Sequence, residues 1–306
     1  MVATDDGAMS VVSRYLEPAL VERLNHLQLS ARSVVEGTTI GSHRSPVKGA
    51  SIEFRQHRAY VAGDEPRRLD WRVLGRTDRP YIKEYDEETN LRCILALDCS
   101  GSMAYGEGNK WGSKFDYAAR LAVSLAYLML GQTESVGLCL FQEKIIHWLA
   151  PHTGTAQLSR VVEGIEKVVP KGGSQVAKAI HETAERLERR ALVVLISDFM
   201  TPASAFREGV AHLRHDRHEV LALRVLDRDE IDFPFRNWTR FRGLEGERPS
   251  LCEPSLVRQT YRENQARHAR QLEEAGRALR AELRTFVTDK SLTEALPAFL
   301  HHRLAR

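Results

Sequence analysis

Three short stretches carry side chains that could share one chemistry. The first is LDCSGSM, residues 97–103, where Asp98, Ser100 and Ser102 stand at alternate positions directly after an apolar run. Alternate side chains of a turning segment can face one centre, so this stretch offers a carboxylate and two hydroxyls. The second is KGGS, residues 171–174, whose paired glycines permit close backbone approach and whose Ser174 adds a hydroxyl before a helical run. The third is LISDF, where Asp198 closes another apolar run. Asp98, Ser100, Ser102, Ser174 and Asp198 make five oxygen donors with no nitrogen or thiolate. Such a set suits Mg²⁺ or Mn²⁺, Ca²⁺ less well, and zinc poorly. Two carboxylates brought together repel and push one pKa upward, a conflict that a divalent cation removes. Neutral hydroxyls leave the ion electrophilic, able to accept a partner's carboxylate or water as a further ligand. The competing reading is that Asp and Ser at strand ends serve as helix N-caps, Ser174 above all.

For loops so far apart in sequence to meet, the apolar runs before them must lie side by side. From Leu91 onward the runs LRCILALD, SVGLCLF, KIIHWL, ALVVLIS, VLALRVL and RTFVT predict strands, most of them continuously apolar, as strands covered on both faces must be. Helices are predicted from Lys114 to Leu130, Ala156 to Val168, Val176 to Arg189 and Ala203 to Arg214. The alternation predicts a doubly wound, mostly parallel, Rossmann-like α/β sheet, in which ligands gather at the carboxyl ends of strands. The helix after LDCSGSM is apolar almost all round and is expected deep against the sheet. Residues 227–253, with Pro, Gly and aromatics, read as an insertion or small β excursion before a long charged helix from Pro254 to Arg284. The expected organisation is a tail and helix over 1–28, with apolar positions at Leu16, Leu20, Leu24 and Leu27. An arginine-rich extension, irregular with β character, follows over 29–90, and the α/β domain spans 91–306.

DxSxS after a first strand, a GG-Ser loop, and an aspartate closing a later strand resemble the metal-ion-dependent adhesion site of von Willebrand factor type A domains. The resemblance covers Leu91 to Thr288, with Ser174 where that family usually has threonine. It implies that Ser100 and Ser102 bind metal directly, Ser174 in the ligand-bound state, and the aspartates directly or through water. Upstream, Gly63, Asp64, Arg67, Asp70 and Trp71 match a G-D-x-x-R-x-x-D-W element, flanked by Arg55, Arg58, Tyr60, Arg72 and Arg76. With the module behind it, this element is similar to the bacterial family catalogued as domain of unknown function fifty-eight. That resemblance implies company with MoxR-type AAA+ ATPases, thought to assemble or activate other proteins. Seven arginines fall between Arg55 and Arg79. They are expected either to clamp Asp64, Asp70 and backbone carbonyls with Trp71 packed beneath, or to form a partner surface through Arg67, Arg68 and Arg72.

Composition narrows the classes. Lys+Arg of 44 against Asp+Glu of 41 gives a net charge of +3, well mixed along the chain, which argues against a nucleic-acid partner. The most apolar helical stretch is too short to span a bilayer, and no leader pattern opens the sequence, so no membrane insertion and a cytoplasmic location are expected. Cys93, Cys99, Cys139 and Cys252 show no CxxC spacing, which fits a reducing compartment. GEGNKWGSK fails the phosphate-loop spacing, Cys99 lacks the downstream arginine of a phosphatase nucleophile, and His147, His181 and His301 show no metalloprotease pairing. The expected function is a non-catalytic, cation-dependent protein-interaction module that presents a metal to a partner's carboxylate. The alternatives are a metal-assisted hydrolase acting on phosphoryl or similar groups, and a scaffold whose metal site is vestigial.

Overall fold

The computed structural model describes residues 13–29, 52–61, 69–87 and 91–304. The chain forms two compact units, one of residues 1–31 with 92–306 and one of residues 32–91. In the first, α1 (Pro18–Leu24) begins with its proline in the first turn, where the missing amide costs nothing. Leu16, Leu20, Leu24 and Leu27 are all buried, as their spacing predicts.

In the smaller unit, β1 (Ile52–Ala59) pairs antiparallel with β2 (Tyr81–Glu87), and α2 (Trp71–Thr77) lies between them in sequence. Asp70 caps α2 by accepting from the amides of Arg72 at 3.0 Å and Val73 at 3.3 Å. Trp71 does not pack beneath an arginine clamp: it takes the first helical position beside this cap and is 66% exposed. Arg72 is exposed, whereas Gly63, Asp64, Arg67 and Arg68 lie outside the described residues.

The larger unit is built on β3 (Arg92–Asp98), β4 (Ser135–Phe141), β5 (Ile145–His152), β6 (Leu192–Ser197), β7 (Glu219–Leu226) and, after the ribbon described below, Glu282–Val287. Between them run α3 (Lys114–Gly131), α4 (Thr155–Glu166), α5 (Val176–Glu185) and α6 (Ala203–His215). A short α7 (Arg228–Asp232) leads to the two-stranded ribbon of β8 (Thr239–Phe241) and β9 (Ser250–Cys252), then α8 (Pro254–Ala278), β10 (Glu282–Val287) and α9 (Leu292–Leu304). The sheet order is β10-β7-β6-β3-β4-β5. It is parallel except for β5, which the three-residue turn 142–144 returns along β4 as a hairpin. Counted along the sheet this is the classic doubly wound order, and it reverses between β3 and β6.

Alternation divides the strands between two apolar layers. Ile94, Ala96, Val193, Leu195, Val220 and Ala222 join one core with residues of α5, α6 and α8. Leu95, Leu97, Val194, Ile196, Leu221 and Leu223 alternate with them and are also buried. The buried residues of α3 include Leu121, Leu125 and Leu128, each contributing about 1.5–3 kcal/mol by leaving water. The long charged helix ends at Ala278, earlier than its charge pattern predicts. Arg280 takes a left-handed conformation (φ 53°) and parallel pairing with β7 claims the next residues from Glu282. Among the described residues no helix is long and apolar enough to cross a membrane.

Candidate metal centre

The strand reversal between β3 and β6 opens a crevice at their carboxyl ends, where Asp98 closes β3 and Asp198 follows β6. The chain turns sharply after Asp98 because the Ser100 amide donates to Asp98 Oδ1 at 2.9 Å. That turn sets Ser100 Oγ 3.1 Å from Ser102 Oγ. Two backbone bonds tie the 171–174 loop to it, Gly101 N–H to Gly172 O at 2.8 Å and Lys171 N–H to Cys99 O at 3.1 Å. Ser174 Oγ then donates to Asp98 Oδ2 at 3.0 Å. Ser100 and Ser174 therefore stand at the Asp98 carboxylate with Ser102 beside Ser100, which brings four of the five expected donors together. Ser174 does not cap α5, which begins without any side-chain cap bond.

Asp198 meets a different partner. Its Oδ1 accepts from the Met200 amide at 3.0 Å, while its Oδ2 lies 2.7 Å from Lys114 Nζ. The same ammonium reaches Glu230 Oε1 at 2.7 Å, and the Lys114 side chain is wholly buried. Burial alone would push the Lys114 pKa down, but the Asp198 and Glu230 carboxylates outweigh it and hold the ammonium above its usual value. Burial raises the Glu230 carboxyl and Lys114 partly counters that rise. Arg224 adds a second cation near this group, donating to the backbone carbonyl of Asp198 at 3.1 Å.

Asp98 differs from Asp198 in its partners. Among the described residues no ammonium or guanidinium is ion-paired with it. Its pKa is pushed up to about 6, first by burial and then by the Asp198 charge, against hydrogen bonds from Ser197 and Ser100. A fully buried carboxylate bonded by the hydroxyls of Ser100, Ser174 and Ser197, with the Ser102 hydroxyl beside Ser100, has the charge and hardness that suit Mg²⁺ or Mn²⁺. The donors present fit such an ion. Asp198 stands close enough for its charge to act on Asp98, with one oxygen already committed to Lys114.

Lys114, Ser197, Glu230 and Glu245 were not singled out by sequence reasoning. Ser197 Oγ donates to Asp98 Oδ2 at 2.7 Å, and the Ser102 amide donates to Glu245 Oε1 at 3.4 Å. Of the four, only Lys114 leaves a sequence trace: a lysine opening a helix that is apolar all round must find buried carboxylates. Its position is fixed by a capping box, in which Ser113 and Asp116 exchange side-chain and backbone bonds at the start of α3. Cys99 is a buried thiol whose pKa burial drives well up, as a core residue and not a nucleophile would have.

Comparison with known proteins bears on the same span. The family described as "Protein of unknown function DUF58" matches residues 56–271. A curated relative, "Uncharacterized protein Rv1480" of Mycobacterium tuberculosis (strain ATCC 25618 / H37Rv), is 28% identical over 71% of this chain and 68% of its own. Among solved structures, an aerotolerance-related membrane protein from Bacteroides fragilis is 16% identical, with a TM-score of 0.49 over 71% of this chain and 99% of that one. The SpRpn10 VWA domain is 11% identical, with a TM-score of 0.41 over 68% of this chain and 94% of that one.

Proposed function

The chain belongs to the family of proteins of unknown function DUF58, and from that premise we propose that it is a non-catalytic, divalent-cation-dependent protein-interaction module. The observation that carries this reading is the buried, uncompensated Asp98 carboxylate within hydrogen-bond reach of the Ser174 hydroxyl. Asp98, Ser100, Ser102 and Ser174 would hold Mg²⁺ or Mn²⁺. When bound, the ion supplies a Lewis-acidic position that a partner's Asp or Glu can fill. The chain's own residues prepare that event. The ties from Gly101 to Gly172 and from Lys171 to Cys99 hold the two donor loops in register. Lys114 pairs with Asp198, which lessens the repulsion between the two aspartates. The partner would be an acidic surface of a client protein or of a MoxR-type AAA+ ATPase, with exposed Arg72, and Arg67 and Arg68 outside the described residues, as a second contact.

Hydrolysis is the weaker reading. Two ionisable side chains meet Asp198 at the site, Lys114 directly and Glu230 through Lys114. Lys114 is held in its charged form, and both Glu230 oxygens are engaged, Oε1 by Lys114 and Oε2 by the Asp227 amide at 2.8 Å. Neither is free to take a proton from water. Isothermal calorimetry with Mg²⁺ and Mn²⁺ tests the proposal. Wild type should bind one ion and Asp98→Ala none; two identical titrations would remove its foundation.

A further inference from the structure

We propose that Glu245 is the resident carboxylate of the metal face, delivered by the β8–β9 ribbon, and that an acidic partner binds by displacing it. This rests on the metal reading above and names the event that opens the site. The turn at Gly101 and Ser102 is covered by the ribbon loop. A Cβ on Gly101 would lie 2.0 Å from the Leu244 carbonyl oxygen, so glycine is required for the loop to sit there. One residue on, Glu245 Oε1 accepts the Ser102 amide at 3.4 Å, and its Oε2 lies 3.9 Å from where a Cβ on Gly173 would stand. A single carboxylate thus spans both loops that carry the hydroxyl donors. The loop aims it from within: the Glu245 amide donates to Glu247 Oε2 at 3.1 Å, and Gly246 turns the chain at φ +102°.

A second carboxylate borders the same loop. Glu143 Oε1 lies 3.5 Å from the same Gly173 position, so Glu143 and Glu245 both border the loop whose Ser174 donates to buried Asp98. Among the described residues none of the three is ion-paired with Lys or Arg. A divalent ion held by Asp98 and the serines would attract the Glu245 carboxylate. The loop is also built to leave. It hangs on a ribbon of two three-residue strands, and Leu244 is 44% exposed. Exposed Arg236, Arg240, Arg242 and Arg248 on and beside that ribbon would draw in an acidic replacement.

The full-length protein loaded with Mn²⁺ provides the test, with water-proton relaxation per bound ion as the readout. Glu245→Gln should raise the relaxation by the contribution of one additional exchangeable water. A hexa-aspartate peptide should bind the Mn²⁺-loaded variant about tenfold more tightly than wild type, if Glu245 fills the site about nine-tenths of the time. Without metal, deuterium uptake at residues 99–105 should be faster in Glu245→Ala, which removes the acceptor of the Ser102 amide and so reports that contact independently of the ion. Mn²⁺ binding that depends on Asp98, with relaxation and peptide affinity unchanged by Glu245→Gln, overturns this inference alone. Absence of Asp98-dependent Mn²⁺ binding overturns the metal reading and this inference together.

Discussion

Asp98 and Asp198 follow similar apolar strands, yet they meet opposite electrostatic settings. Asp198 is ion-paired with Lys114, whereas Asp98 accepts from the Ser174 and Ser197 hydroxyls and the Ser100 amide. Because the folded pKa of Asp98, about 6, exceeds its ordinary 3.8, the folded protein binds the proton more tightly than the unfolded chain. Stability of the metal-free protein therefore falls as pH rises between these values, and the whole loss, about 3 kcal/mol, is present above the folded pKa. In chelator, Asp98→Asn should match wild type at about pH 4 and exceed it by up to about 3 kcal/mol at about pH 7. Urea denaturation across that range checks it; parallel profiles for the two proteins would refute the assignment. Lys114 gives the converse case. Lys114→Met leaves Asp198 and Glu230 buried without their cation, and unfolding free energy should drop by about 3–5 kcal/mol. An effect under about 1 kcal/mol would mean that the ammonium is not their counter-ion.

Among the elements, the β3 turn and the ribbon loop are matched through one missing side chain. Gly101→Ala places a methyl 2.0 Å from the Leu244 carbonyl oxygen, a backbone atom that no rotamer change can move. The ribbon loop must shift, at a cost of about 1–3 kcal/mol. Amide exchange over residues 243–248 should accelerate in this variant while α3 keeps its protection; unchanged exchange there would show that the loop does not press on the turn. The same scale shows how far sequence reading reached. The runs LRCILALD and ALVVLIS became β3 and β6 because strands covered on both faces need unbroken apolar residues. The end of α8 was less legible. Glu282, Leu283 and Arg284 continue a charged helical pattern, and only their pairing with Leu221, Ala222 and Leu223 makes them a strand. Trp71 likewise reads as a packing residue in sequence but stands exposed beside the Asp70 cap.

For the whole molecule, cation binding is linked to folding, since no site exists in the unfolded chain. Mg²⁺ at about a hundred times its dissociation constant should stabilise the protein by about 2.7 kcal/mol, close to the penalty that ionised Asp98 imposes. Scanning calorimetry should show a melting temperature that rises with Mg²⁺ and falls back with chelator, and Asp98→Ala should abolish the dependence. A wild-type melting temperature indifferent to Mg²⁺ would contradict the proposed site.

What the sequence determined by itself was local in origin. Apolar runs and helical spacing set the mostly parallel α/β sheet, and the short patterns at residues 98–102 and 171–174 supplied donors at strand and loop ends. Which charges meet was decided only by tertiary structure. Lys114 finds Asp198 across 84 residues and Glu230 across 116, and Glu245 reaches Ser102 across 143. Such pairings depend on strand order and on where an insertion folds back, and no periodicity within a segment encodes either. That is why the aspartates looked equivalent in sequence and proved distinct once a lysine from the helix between them reached one and left the other.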